Sequence, residues 1–284
     1  MSQTPRIFDR ALVARRIERL AGHANFIHEL VAADLHDRLA PVTRDFQKAL
    51  IIGPDARALP AQSRSGNGPI DFERVSSLVP DAGFRTIDPE HFDPGQKDYD
   101  LIVSLLDMQV VNNVPGFLDT ARAHLAPDGL FIAALIGGRS LTELRDAWLA
   151  ADVEMAGGVS PRVAPMIDVR DAGGLLQRAG FALPVTDLET HVVRYATPFA
   201  LFDELRGIGA TNPLAERGRG LTTPARLARA AQIYAERYAD ADGRVRATLE
   251  ILWLSGWAPH ESQQKPLRPG SAQKSLRDVL GDKG

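Results

Sequence analysis

Two continuous apolar runs constrain this chain more than any other feature. Residues 99–105 (YDLIVSL) and 129–136 (GLFIAALI) have too few polar positions to leave one face in water, so both read as strands buried on both faces. Between them, residues 112–125 carry helical spacing that stops at Pro127-Asp128-Gly129, a turn signature. Strand, helix and strand at this spacing form a right-handed crossover, which requires a parallel sheet covered by helices. The expected class is α/β, with a doubly wound, mostly parallel sheet.

The remaining pattern extends that unit. Ala49-Leu50-Ile51-Ile52 ends at Gly53-Pro54-Asp55, and a short run at 84–87 ends at Asp88-Pro89. Residues 56–69 are polar and rich in Gly, Ser and Pro, and read as a loop. Helical patterns cover 141–155, 168–179, 198–207 and 224–238, and strands are expected at 185–195 and 247–257. The first 45 residues are helical, with Phe26, Ile27, Leu30, Val31, Leu35 and Leu39 forming an apolar stripe. His28 and His36 fall off that stripe among Glu29, Asp34 and Asp37, the pattern of a solvated face. Arg6, Arg10, Arg15, Arg16 and Arg19 form a basic cluster, either a surface helix or a contact for an acidic partner. The chain divides into an amino-terminal helical segment (1–45), an α/β domain (46–258) with a helical insertion at about 198–240, and a polar tail (259–284). Within the tail a short helical turn is expected at 276–280.

Composition narrows the chemistry. The 284 residues carry a net charge of −3, so a nucleic-acid partner is not expected. The absence of cysteine excludes disulfides, thiolate metal sites and cysteine nucleophiles. No apolar run is long enough to span a membrane, and MSQTPRIFDR lacks the apolar stretch of a secretory signal. A bacterial cytoplasmic protein is the expectation.

The loop after the first strand is where a doubly wound sheet binds ligands. Here it reads GPDAR, with one glycine and a proline, which is no cradle for phosphate. From the opening IFDR and along the stretches YDLIVSLL, NNVPGFL, LAPDGLFIAALIGGRSLTELR, SPRVAPMIDVRDAGGLLQRAGF, GATNPLA and GWAPHESQQKPLRPGSA, the chain resembles class I S-adenosylmethionine methyltransferases. Within them it is most similar to the complex I assembly factor family that includes the mitochondrial arginine hydroxylase, and more distantly to the biotin-pathway malonyl-carrier-protein methyltransferases. The likeness covers nearly the whole chain, and its final stretch is the most specific. It implies a seven-stranded Rossmann-like sheet, S-adenosylmethionine as cofactor, and a protein client such as a complex I subunit.

Several positions depart from the family pattern. Where the family has LDLGCGRG, this chain has LIIGPDAR: Ile51 stands for the acid, Gly53 survives, and Asp55 and Arg57 replace glycines. The acid that would hold the ribose at the end of the second strand is absent from RVSSLVPDAG, and the spacing there is short enough that a helix is trimmed. The LHWVND motif becomes Met108-Gln109-Val110-Val111-Asn112-Asn113, without its His and Trp. Gly53 and Asp88 are the cofactor-binding candidates of a degenerate site, although Asp88 equally suits a turn cap. His260, Glu261 and Arg145 are the catalytic candidates. His260 and Glu261 can act as an acid/base pair or as part of a tail latch, and a tail that doubles back at Pro259 and Pro266 brings them to Arg145 and Gly138 at the carboxyl ends of the strands. Glu143 and Arg145 also fit helix capping and a surface ion pair, and Thr211 and Asn212 a turn. Trp253 and Trp257 read as core. No metal-ligand set follows from the spacing. Three functions remain open: a client-binding protein with a degenerate cofactor site, an active methyltransferase or arginine hydroxylase, and a scaffold of an unrelated pathway.

Overall fold

The computed structural model describes residues 5–20, 25–156, 158, 160–218, 220 and 222–264. The expected helical turn at 276–280 lies outside the described residues. Two helices open the chain, α1 (Arg10–Glu18) and α2 (Phe26–Leu39), followed by β1 (Ala49–Gly53), β2 (Gln62–Ser65), β3 (Gly68–Ser76) and β4 (Arg85–Thr86). The crossover expected from the apolar runs follows as β5 (Tyr99–Leu105), α3 (Val114–His124) and β6 (Leu125–Ile136). Then come α4 (Thr142–Ala156), α5 (Val169–Arg178), β7 (Ala182–Tyr195), α6 (Pro198–Gly207), α7 (Pro224–Tyr238) and β8 (Val245–Trp257).

The strands lie in the order β2-β3-β1-β5-β6-β8-β7, with β4 also pairing β3. Apart from the short hairpin strand β2, this is the expected seven-stranded sheet. Its strands β4, β3, β1, β5 and β6 are parallel neighbours, and β8 is inserted antiparallel between β6 and β7.

The alternation within β1 explains why its neighbours are covered on both sides. Leu50 and Ile52 point into a core shared with Phe117 and Leu118 of α3 and Leu176 of α5. Ala49 and Ile51 point the other way, against Val31, Leu35 and Leu39 of α2. Burial on both faces is what continuous apolar strands require. Beyond the sheet's β7–β8 end, α4, α6 and α7 build a separate core around Leu201, Ile233 and Tyr234. Caps fix the helix starts: Asn25 accepts from the amides of Ile27 and His28, and Asp168 accepts from those of Arg170 and Asp171.

Two expectations fail here. Residues 56–69 are no loop: after a 3-10 turn at Ala56–Ala58, β2 turns back through Gly66-Asn67 onto β3. The inward positions of β2 are Ser63 and Ser65, whose hydroxyls bond His36 Nδ1 and the Arg44 carbonyl, so no apolar alternation signalled a strand. His28 does not lie on a solvated face either. It is half-buried at the start of α2, and loss of hydration pulls its pKa below the ordinary value despite the Asp55 charge.

Candidate functional site

The carboxyl ends of β1, β5 and β6 open into a cavity of about 890 Å³. Its floor is Pro54, Leu106, Met108, Leu135 and Ile136; its walls are α1, the start of α2, α4, residues 162–167 and residues 208–213. The walls are tied to one another across the whole chain. Arg16 donates to the carbonyls of Thr211 (2.6 Å) and Asn212 (3.0 Å), and Asn212 Nδ2 donates to the Pro161 carbonyl (2.9 Å). Arg217 donates to Asp9 at 3.0 Å. The arginines of the amino-terminal cluster thus include internal clasps, which charge spacing alone could not distinguish from a surface helix.

A second knot sits where the LHWVND motif was expected. Asn112 Oδ1 accepts from the amides of Ile7 and Phe8, both at 2.8 Å. Glu90 accepts from the amides of Asn112 (2.6 Å) and Asn113 (2.9 Å) and from Asn112 Nδ2 (2.9 Å). Arg10 reaches the carbonyls of Val110 and Ser77. Beside it, Asp107 is fully buried and accepts from Ser77 Oγ at 2.5 Å. Burial pushes the Asp107 carboxyl above its usual range even though Arg10 and Ser77 pull it down. Glu90 and Asp107 were not named from the sequence. The only signal was the retained Asn-Asn pair, because an acid's partners depend on contacts far apart along the chain.

The region around Gly53 is closed. A Cβ at Gly53 would lie 2.7 Å from Leu59 Cδ2 and 3.1 Å from the Leu105 carbonyl oxygen, so Leu59 packs directly over the glycine. Asp55 is buried and capped: Arg57 Nε donates to it at 2.9 Å and Nη2 at 2.7 Å, and the Arg57 amide at 3.0 Å. The crossover from β1 to its parallel neighbour β3 contains the 3-10 turn and β2 in place of a helix. At the end of β3 stand Ser76, whose hydroxyl accepts from the Ala56 amide at 2.8 Å, and Ser77. Asp88 is the cap of a 3-10 turn: it accepts from the Glu90 amide at 3.0 Å and faces His91 Nδ1 at 3.0 Å. Partial burial works to raise its pKa, but the His91 and Glu90 contacts outweigh it and hold the carboxyl below its ordinary value.

The three catalytic candidates do not meet. Arg145 lies at the cavity end of α4, where Nη2 donates to the Ala164 carbonyl at 3.2 Å. Glu143, two residues before it, is buried and accepts from Thr248 Oγ1 at 2.5 Å, which locks α4 to β8. His260 and Glu261 are at the other end of the sheet. Trp257 pairs with Leu130 and Ile251 with Ile136, so β8 leaves at the amino end of β6, roughly 20 Å from the cavity at strand rise. Up to Gln264, the last described residue, the tail does not double back: Ala258 donates to the Gly129 carbonyl, and Gln263 Nε2 bonds Asp128 and the Ala258 carbonyl, both at 2.8 Å; Pro266 lies outside the described residues. His260 is exposed and contacts Ser262 at 2.7 Å. The antiparallel direction of β8 therefore overrides the turn potential of Pro259. Trp253 is in the core, with Arg38 over its ring at 4.6 Å.

The strand order, with one antiparallel insertion and a cavity at the carboxyl ends, defines the class I S-adenosylmethionine methyltransferase fold. The YcgJ protein of Bacillus subtilis shares it, with a TM-score of 0.50 at 10% identity over 82% of this chain and 100% of that one. Among sequence relatives, the mitochondrial arginine-hydroxylase NDUFAF5 of Danio rerio is 33% identical over 96% of this chain and 89% of its own. The chain belongs to this family, that of the arginine-hydroxylase NDUFAF5. The Dictyostelium discoideum member is 38% identical over 64% of this chain, which spans 42% of that longer protein. A malonyl-[acyl-carrier protein] O-methyltransferase of Halorhodospira halophila is 35% identical over 64% of this chain and 59% of its own. No protein-family model matches. The expectation of a bacterial cytoplasmic protein is overturned by these findings: the relatives aligned over almost the whole chain are mitochondrial proteins of eukaryotes. Among the described residues no helix is long and apolar enough to cross a membrane.

Proposed function

We propose that this chain is a methyltransferase-fold assembly factor that binds a protein client of respiratory complex I, with a degenerate S-adenosylmethionine site. One observation carries the reading: Leu59 is packed onto Gly53, in a crossover where a 3-10 turn and β2 take the place of a helix. A nucleoside cofactor needs close backbone approach at that glycine and an acid for the ribose hydroxyls. The approach is filled by an apolar side chain, the end of β3 offers Ser76 and Ser77, and Asp55 is committed to Arg57. The residues present do not fit the cofactor. Each missing ribose–carboxylate bond weakens binding by about 1.5–3 kcal/mol. Family membership and the closed, tied walls around the cavity support a client-binding role that needs no methyl donor.

Calorimetry with S-adenosylmethionine tests the pocket. No saturable heat is expected at millimolar ligand, and a micromolar Kd would overturn the degenerate-site reading. A second reading, an active arginine hydroxylase or methyltransferase, is favoured by the name of the relatives that cover most of the chain. Mass spectrometry of complex I subunits from cells with and without the gene separates the two. Reduced complex I with unchanged peptide masses is expected here; a gene-dependent gain of oxygen or methyl on one peptide would establish the second reading.

A further inference from the structure

The cavity at the carboxyl ends of the strands is larger than client binding at a surface requires, and its lining has a definite chemistry. A volume of about 890 Å³ lies within the roughly 300–1,000 Å³ typical of small-molecule sites. The lining is dominated by side chains such as Ile17, Met108, Leu135, Leu144, Ile167 and Leu205. Its formally charged members among the described residues are Asp55, Arg162, Glu204 and Arg206. Each is already engaged within the protein: Asp55 by Arg57, Arg162 by Asp152 at 3.0 Å, Glu204 by the Tyr195 hydroxyl and Arg206 by Asp203 at 3.0 Å. Much of the neutral polar lining is committed as well, Gln109 Oε1 and His28 Nδ1 being buried acceptor or donor sites, without a partner among the described residues, that a single hydroxyl could meet. Ser140 donates to the Gly137 carbonyl at 2.8 Å, Thr248 to Glu143 at 2.5 Å and Asn212 to the Pro161 carbonyl at 2.9 Å. At the cavity's edge, burial lowers the pKa of His28 despite the Asp55 charge and so favours its neutral form.

A charged ligand entering such a space loses its hydration and meets no free counter-charge, a cost of several kcal/mol. An apolar ligand loses nothing and gains contact with the walls. We infer that the cavity is a binding site for an uncharged, predominantly hydrocarbon small molecule, occupying the region that the fold elsewhere gives to a charged cofactor. The inference stands apart from the client reading, since a protein with an empty or a filled cavity can bind a client through its surface. It also differs in ligand class from S-adenosylmethionine, whose sulfonium, ammonium and carboxylate would meet no free counter-charge here.

The test is a titration of the full chain with N-phenyl-1-naphthylamine, an uncharged fluorophore, followed by displacement with 1-dodecanol, dodecanoate or dodecylammonium. One saturable micromolar site is expected, displaced by dodecanol at least tenfold more effectively than by either charged analogue. Ala164→Trp and Ala210→Trp, which fill the cavity from two different walls, should each weaken the fluorophore at least tenfold; either one that folds suffices. Val192→Trp, on the outward face of β7, should leave binding unchanged. Equal displacement by charged and uncharged chains, or full binding in both cavity variants, would overturn the inference and assign the fluorophore to exposed apolar residues such as Val185 and Val192.

Discussion

Gly138 offers a quantitative test of how the loop after β6 is held. Its φ is +58°, and a Cβ there would lie 1.9 Å from Glu250 Oε2. Glu250 is buried on β8 and accepts from the Arg139 amide at 2.6 Å and from Arg139 Nε at 3.2 Å. Gly138→Ala therefore imposes two separate costs. The left-handed backbone costs a non-glycine residue about 1–2 kcal/mol. Displacing the Glu250 carboxylate from a charged hydrogen bond adds about 1.5–3 kcal/mol. The sum, about 2.5–5 kcal/mol, lowers Tm by roughly 5–20 °C at the 2–4 °C per kcal/mol typical of large domains. In a Glu250→Ala background the obstructing oxygen is gone and the nearest remaining atom, Glu250 Cβ, is 3.6 Å away. There the same substitution should cost only the backbone share, about 1–2 kcal/mol. Urea denaturation of the four proteins measures both values. Equal costs in the two backgrounds would refute the argument that Glu250 is what requires the glycine.

Asp107→Asn should change the pH profile of stability. The folded carboxyl titrates above its unfolded value, so its contribution is complete below about pH 4 and is lost as pH rises through the raised folded pKa; Tm of the variant should fall less than that of the parent between pH 4 and 8, and parallel profiles would count against it. Asn112→Ala removes both acceptor bonds to the amides of Ile7 and Phe8, about 1–3 kcal/mol in all, and those two amides should lose protection from hydrogen exchange while β1 keeps its own. Leu59→Ala should destabilise by about 2–5 kcal/mol as a buried truncation, without restoring S-adenosylmethionine binding, because the helix after β1 is still missing. Micromolar binding by that variant would make Leu59 the sole obstruction.

The sheet was legible because its central strands need no partner information. The runs at 99–105 and 129–136 are apolar on both faces, and the pattern of α6 and α7 placed both helices at the bounds observed, each with a Thr cap and a Pro in the first turn. The hairpin was invisible because Ser63 and Ser65 occupy its inward positions and are satisfied by hydrogen bonds instead of apolar contact. The candidate site was half legible. Gly53, Asp55 and Arg57 could be read as departures from a pattern, and their geometry follows from residues within the same short loop. Leu59 as the group over Gly53, and Glu90 as the acceptor for Asn112 and Asn113, depend on folding-back that local spacing does not encode. His260 and Glu261 were misplaced for a simpler reason: the direction of β8 decides which end of the sheet they leave from, and Pro259 does not reverse that.

The clasps around the cavity have a consequence for how the protein is made. Arg16 meets the Thr211 carbonyl across 195 residues, and Asp9 meets Arg217 across 208. At roughly 5–20 residues per second of synthesis, about 10–40 s separate the appearance of the two halves of each clasp. For the last part of that interval, after Ile136 ends β6, β1, β5 and β6 are present, yet the wall formed by residues 208–213 is not, and Ile17, Met108 and Leu135 face water. The greasy interior is thus on display in the nascent chain and enclosed only near its completion. A polypeptide interrupted before Thr211 keeps the central strands but can never shut the chamber, and its exposed lining makes it prone to self-association.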